Sequence, residues 1–440
     1  MTVLAPPTWW RGLGSLTRSG SAVEGLSWAL YDFANTIFSF AIVSFAMGPW
    51  AVRFLGEAQG TFLFTLAGSA SVALNAAVSP VLGAMSDRTG GRKRYLLFFT
   101  ALCIVPTVLI GVVDIGLGLL LYAIANFGFQ AALIYYDALL PDVALPGTRG
   151  RLSGIGVALG YLGAISSGLL LRLTLEDGQI SPLSFVVVGS LFAVFAIPIF
   201  LLVRERVLTW SQRFRLTDAF RSWSQVRTTI DHARQRPGLL RFIVARFLYT
   251  DPINTAIAVM SLFAINAVGF SEAEALNVLI GLIVVAILAS FGWGILADRL
   301  GPKRTLLIVL ASWMAGLLLL GVVLSEVPFL IAGAILGSGL GGAAVTDRLL
   351  LLRLVRAEEV GEMLGLYGMV GKLSAVVGPL LYGVIILLLE PRLGTAAYQV
   401  AILSLLVLMV AGFVVLLGVP QPDDPDELRA ADLATSGALR

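Results

Sequence analysis

Three apolar segments of this 440-residue chain carry acids and amides at spacings suited to binding a polar solute or a proton. In WALYDFANTIF, Asp32, Asn35, Thr36 and Ser39 fall on one face of a helix that turns about 100° per residue. LYTDPINTAI repeats the D-x-x-N order with Asp251 and Asn254, followed by Thr255. Asn126, Gln130 and Asp137 share a third face, because offsets of four and eleven residues both return near the starting angle. Lys372, the one lysine away from the basic turns, lies on a face with Gly361, Gly365 and Gly368. An ionisable group inside hydrocarbon is costly unless it meets a wet passage or a partner, so each is a candidate for function. The structural alternative is that the aspartates pair with a buried base or cap a helix break and serve assembly only. Covalent chemistry finds no support, since phosphate cradle, nucleophile constellation and metal spacing are all missing from the sequence. Cys103, the sole cysteine, lies in an apolar stretch, and His232, the sole histidine, lies in a basic loop without a partner at zinc-ligand spacing. The expectation is a protein that is not an enzyme and uses no cofactor and no metal.

The elements that must position these residues follow from composition. At 58% hydrophobic and 13% charged residues the chain lies outside the range of soluble domains. Twelve apolar stretches are long enough to cross a bilayer, which takes roughly 20 residues. They cover 26–50, 61–84, 95–114, 115–140, 151–172, 182–203, 239–268, 275–297, 304–324, 327–350, 362–388 and 396–419. Short alternating strands, the mark of a barrel, do not occur. The fold class expected is therefore an all-α polytopic membrane protein. Basic residues crowd one set of connections: Arg88 to Arg94, Arg149 and Arg151, the arginines of 204–236, Arg299 to Arg304, and Arg348 to Arg356. The other set has only Arg53, Arg172 and Arg392 among several acids. By the positive-inside rule both termini are cytoplasmic and the host is the cytoplasmic (inner) membrane. The net charge of +3 conceals this asymmetry and implies no nucleic-acid partner. Anionic lipid would also be drawn to the basic linker, though topology accounts for it more simply. No signal peptide is expected at the N-terminus.

The chain reads as a duplication. Adding 211 to Gly83, Asp87 and Arg88 gives Gly294, Asp298 and Arg299, and the same offset takes Gly150, Gly154 and Gly160 to Gly361, Gly365 and Gly371. The organisation expected is a cytoplasmic segment 1–25, a six-helix bundle 26–203, a basic linker 204–238, a second six-helix bundle 239–419 and an acidic, disordered tail 420–440. Parallel six-helix halves are a repeat plan of secondary transporters. Rows of small residues, Ser153, Gly156, Gly160 and Gly163 in helix five and the glycines of helix eleven, read as close-packing stripes.

GAMSDRTGGRKR resembles the signature loop between helices two and three of the major facilitator superfamily, and GILADRLGPKR its copy between helices eight and nine. WALYDFANTIF, and YYDALLPDV leading into GRLSGIGVALGYLG, resemble the autophagy-related vacuolar amino-acid effluxer branch. One departure is that Pro252 follows Asp251 where the branch carries glycine. Helix four has no basic residue and helix five no Gly-Pro pair, features typical of drug antiporters. The resemblance implies helices one, four, seven and ten around a central cavity, and alternating access without covalent chemistry. It implies efflux of a small polar or zwitterionic, amino-acid-like solute; proton coupling is expected from the residues themselves, since a carboxylate in a poorly hydrated cavity can hold a proton near neutrality, and a monomer is expected. Asp32, Asp251 or Asp137 would carry the proton, and Lys372 would hold a solute carboxylate or pair with an aspartate until a proton releases it. Gly83, Asp87, Arg88 and Arg92 with Gly294, Asp298 and Arg299 would latch the halves together in one state. Arg246 is expected to snorkel or to pair between helices. Two rivals stand: an exporter of amphipathic compounds with Trp28, Phe33 and Phe38 in its wall, and a membrane receptor or assembly factor that keeps the fold without turnover.

Overall fold

The computed structural model describes residues 13–145, 148–205, 216–355 and 359–420. The acidic tail beyond 420 and much of the basic linker lie outside the described residues. Twelve helices have the length and composition to cross a membrane. In the first half they are α1 (Ala22–Leu55), α2 (Glu57–Thr89), α3 (Arg92–Val112), α4 (Ile115–Val143), α5 (Arg149–Leu173) and α6 (Pro182–Leu202). A linker helix, Leu216–Gln235, precedes α7 (Leu239–Val268), α8 (Glu272–Leu300), α9 (Pro302–Val322) and α10 (Glu326–Leu354). Helix eleven is two pieces, α11a (Val360–Ser374) and α11b (Val377–Leu393), followed by α12 (Ala396–Leu417). Among the described residues the only strand-like pairings are two isolated bridges.

Local chemistry sets the helix ends. Asp114 caps α4 by accepting from Leu117 N at 3.1 Å. Ser271 and Glu274 form a reciprocal capping box at the start of α8, satisfying two amides that a helix start leaves free. Gly90 and Gly301, 211 positions apart, end α2 and α8 at φ +65° and +81°, where a side chain would be strained. Inside the first bundle, Trp28 stacks on Tyr136 with centroids 4.5 Å apart. Cys103 is fully buried where α3 meets α4: a methyl on Gly128 would lie 2.8 Å from its amide. This is the packing role expected of that cysteine.

The halves meet at the face away from the basic loops. There α1 touches α7 at Gly48 and Leu262, α2 touches α11b at Thr65 and Gly383, and α5 touches α8 at Gly168 and Ile280. Polar contacts bolt this face: Arg53 pairs with Glu272 at 3.3 Å, Arg53 and Glu272 both bind the Ile180 backbone, and Arg172 meets Asn277. Toward the basic face the bundles diverge. A methyl added at Gly83, Gly154, Gly294, Gly365 or Gly368 would meet nothing within 4 Å. Gly365 and Gly368 therefore face open space, which corrects the expectation of a packing stripe along helix eleven. The glycines of α10 do pack: Gly342 against Val309 and Trp293, and Gly337 against the Leu282 carbonyl.

Candidate functional site

Between the halves, at mid-depth, lies a cavity of about 330 Å³. Its wall takes Ser39 and Ser44 from α1, Thr65 and Ser69 from α2, Asn126 and Gln130 from α4, Asn254 from α7 and Lys372 from α11a. Phe64, Tyr122 and Phe129 give it an aromatic side. Of the residues singled out by sequence, Asn126, Gln130, Asn254 and Lys372 are brought together here, and among the described residues Lys372 is the only charged one in the lining.

Lys372 reaches across to the first half. Its Nζ donates to Asn75 Oδ1 at 3.5 Å and to the Gln130 carbonyl at 3.3 Å, two long bonds to neutral oxygens. Among the described residues it makes no ion pair. Asn254 donates to the Gly371 carbonyl at 3.4 Å, tying α7 to the turn that presents Lys372. Asn126 donates to Ser71 Oγ at 2.6 Å.

Asp32 and Asp137 stand outside the cavity, each seven residues along its helix from a lining residue, Ser39 or Gln130. Seven residues at 1.5 Å rise put them about 10 Å nearer the basic face, beside the opening. Asp137 is exposed there and lies within reach of the charges of Lys372 and Arg348. Asp32 is half-buried between α1, α4 and α5: a methyl on Gly156 would lie 2.8 Å from its Oδ2 and 3.3 Å from the Tyr136 hydroxyl. Asn35 is buried, and its Oδ1 has no hydrogen-bond partner.

Asp251 is placed differently from the sequence expectation. It is 2% exposed and off the cavity wall, and its Oδ1 accepts from Gly378 N at 2.8 Å. Gly378 is the second residue of α11b, so Asp251 caps the half-helix that starts at the break in helix eleven. A buried carboxylate facing the free amides of a helix start satisfies the chain locally. The aspartate motif of the second half is thus a brace, and only its Asn254 reaches the cavity.

Sequence reasoning missed two groups. Thr61, Thr65 and Ser69 recur every fourth residue on α2, and Asn75 lies further along the helix, so a search for uncharged polar rows would have found the first three. The hydroxyls of Thr61 and Ser69 and the Asn75 Nδ2 are buried without partners. The second group is Asp347 and Tyr367, the partners of Arg246, for which pairing between helices was one of the two expectations. Arg246 is buried, pairs with Asp347 on α10 and lies 3.4 Å over the Tyr367 ring, while Tyr367 donates to Asp347 at 2.7 Å. Arg246 therefore pairs between helices and does not snorkel.

The signature loops make no ion pair with each other among the described residues. The side chains of Asp87 and Arg88 lie outside that set, and Asp298 and Arg299 are exposed. Arg92 is corrected from latch to brace: it donates to the Ala138 carbonyl at 3.0 Å and pairs with Asp142 at 3.2 Å inside its own bundle. Glu205 receives the Arg92 and Lys93 amides at the start of the same helix.

Comparison with known proteins extends these observations. The family model described as "Vacuole effluxer Atg22 like" matches residues 49–427. An uncharacterized MFS-type transporter, YxiO of Bacillus subtilis (strain 168), is 27% identical over 418 residues, covering 91% of this chain and 95% of that one. Autophagy-related protein 22 of Coccidioides immitis (strain RS) is 26% identical over 323 residues, 65% of this chain and 52% of that one. Among solved structures, the nucleoside transporter NupG superposes with TM-score 0.68 at 13% identity, covering 90% of this chain and 98% of that one. A bacterial homolog of the human lysosomal transporter Spinster, inward-facing and unoccupied, gives TM-score 0.65 at 15% identity, covering 94% and 98%. Likeness at that identity speaks for the fold alone.

Proposed function

This chain belongs to the vacuole effluxer Atg22-like family of major-facilitator-type membrane transporters, and from that premise we propose that it exports a small zwitterionic, amino-acid-like solute by proton-coupled alternating access. The observation that carries the reading is Lys372. Among the described residues it is the one charged side chain in the cavity, and it is held by two long bonds to neutral oxygens of the opposite half. A solute carboxylate is a stronger partner for an ammonium than either oxygen. Asp137, on the opening side, supplies the complementary acid for a solute ammonium.

Size favours one small solute. At about 330 Å³ the cavity is near the lower end of small-molecule pockets, roughly 300–1,000 Å³. Trp28, Phe33 and Phe38, the ring residues set aside for an amphipathic cargo, are not in the cavity wall: Trp28 stacks on Tyr136, Phe33 packs on Phe195 and Phe38 packs behind Phe129. Asp32 and Asp137 are the proposed proton carriers, because they flank the opening and exchange directly with water there. On this reading the basic face and both termini are cytoplasmic. The signature loops, Gly83, Asp87 and Arg88 with Gly294, Asp298 and Arg299, close that face in the alternate state of a monomer.

Flux into proteoliposomes tests the proposal. A labelled neutral amino acid should move with an imposed pH gradient, Lys372→Gln should abolish uptake, and Asp32→Asn should leave exchange but remove the response to the gradient. Full uptake by Lys372→Gln, or saturable binding with no flux in the wild type, would overturn it.

A further inference from the structure

A second cavity, of about 600 Å³, lies on the basic face and shares no lining residue with the central one. It sits where the linker helix ends, α7 begins and α12 ends, and Arg234, Arg236 and Arg241 contribute to its wall. Arg236 is forked onto Glu359 and neutralised by it. Arg234 is exposed and, among the described residues, pairs with Asp231 on its own helix, at 3.0 Å. Arg241, also exposed, donates to the Gly418 carbonyl, and Lys303 donates to the neighbouring Leu417 carbonyl at 2.9 Å. Among the described residues, Arg241 and Lys303 therefore stand at the rim on carbonyl oxygens, with no acid paired to them. The remaining wall is apolar, with Val244 and Val415. It continues into a strip on the outside of α12, where Val414, Val410 and Val407 are 59%, 41% and 68% exposed.

We propose that this cavity is a binding site for an anionic phospholipid, with the headgroup phosphate between Arg234 and Arg241 and an acyl chain along Val244 and the α12 strip. Basic pockets between membrane helices attract acidic headgroups, and the planar guanidinium matches phosphate oxygens two at a time. The apolar wall is what selects a lipid over a free phosphate. The acidic stretch that follows Pro420, with Asp423, Asp424, Asp426 and Glu427, is a rival occupant of like charge. Its carboxylates are a rival answer to the arginines, and the test below includes their removal.

Native mass spectrometry of the full chain in detergent, titrated with phosphatidylglycerol, tests this. Saturable binding is expected, weakened about fivefold in Arg234→Gln and about 25-fold in Arg234→Gln/Arg241→Gln, since each near-surface arginine contributes about 1 kcal/mol. Arg227→Gln, an exposed linker position outside the cavity, should bind as wild type. Because Arg241 also holds the end of α12, the single exposed variant keeps the test decisive if the double variant unfolds. Unchanged affinity in Arg234→Gln overturns the proposal. Glycerol phosphate binding as tightly as the diacyl lipid would mean a plain phosphate site and overturn it too. So would a tenfold or larger gain in lipid affinity on removing residues 421–440, which would make the tail the resident occupant.

Discussion

The two D-x-x-N motifs look like one device copied into both halves, and the structure shows two different devices. Asp32 precedes the glycine that ends α1, Gly56, by 24 positions, while Asp251 precedes Gly269, at the end of α7, by 18. Six residues at 1.5 Å rise make a depth difference of about 9 Å. Their partners differ accordingly. Asp32 sits against Gly156 of an unbroken α5, near the opening, whereas Asp251 sits against Gly378 at the break in helix eleven. Duplication preserved the helices, and the chemistry on them diverged.

The true counterpart of the Asp32 neighbourhood is the Arg246 cluster. The offset of 211 takes Tyr136 to Asp347 and Gly156 to Tyr367. In the second half those positions hold an acid and a ring that close around Arg246. In the first half a tyrosine and a glycine leave space, and Asp32 fills it without a basic partner among the described residues. At this depth one half pairs its charges and the other keeps a carboxyl group without a base among the described residues, an asymmetry that suits the proton coupling proposed above.

The most damaging way to break the comparison is to open the closed side. Asp347→Ala leaves the Arg246 guanidinium buried and unpaired, which costs roughly 3–5 kcal/mol. The prediction is a large fall in the thermal unfolding midpoint of the purified protein. Asp347→Ala with Arg246→Leu should recover much of it, because removing both charges removes the orphan. A double variant no more stable than the single one would mean that the pair contributes little.

A smaller effect separates the two glycines. A methyl at Gly378 would run into Thr255 Oγ1 and lie 2.8 Å from Asp251 Oδ2, against a hydroxyl bonded to the Asp251 carbonyl and a carboxylate fixed by its bond to the helix start. Gly378→Ala should destabilise by about 1–3 kcal/mol, as overpacking does. A methyl at Gly156 approaches Asp32 just as closely, but that side chain is half-buried beside open space and can swing away. Gly156→Ala should cost less than about 1 kcal/mol while altering uptake. Equal losses of stability would argue that Asp32 is as fixed as Asp251.

Much of this was legible in the sequence, for physical reasons. Membrane spans are long apolar runs, so twelve helices, the duplication and the family could be read directly from residue types. The amide and lysine side of the cavity could also be read, since Asn126, Gln130 and Lys372 are conspicuous in such runs. Serine and threonine are tolerated in any membrane helix, so Thr65 and Ser69 gave no warning that they line the cavity. The break between Ser374 and Val377 is marked by Gly378-Pro379, since Pro379 has no amide to give the Ala375 carbonyl, but membrane helices also carry such residues without breaking, so the mark alone did not decide it. Without the break, Asp251 had no structural task to explain it, and cavity lining was the natural reading.

The finest test distinguishes a cap from a proton carrier at Asp251. A cap needs an acceptor oxygen facing the Gly378 amide, and asparagine supplies one through its own Oδ1. Asp251→Asn should therefore change stability by only a few tenths of a kcal/mol and keep gradient-driven uptake. Asp251→Ala removes the acceptor and should cost roughly 0.5–2 kcal/mol, the usual range for losing a helix cap. Because α11a presents Lys372 from the other side of the break, Asp251→Ala should raise the solute KM more than it lowers the maximal rate. Asp32→Asn has the opposite signature: stability is unchanged, and the pH-gradient response is lost. If Asp251→Asn also loses that response, the carboxylate titrates during transport, and the two aspartates are functional equivalents despite their different depths.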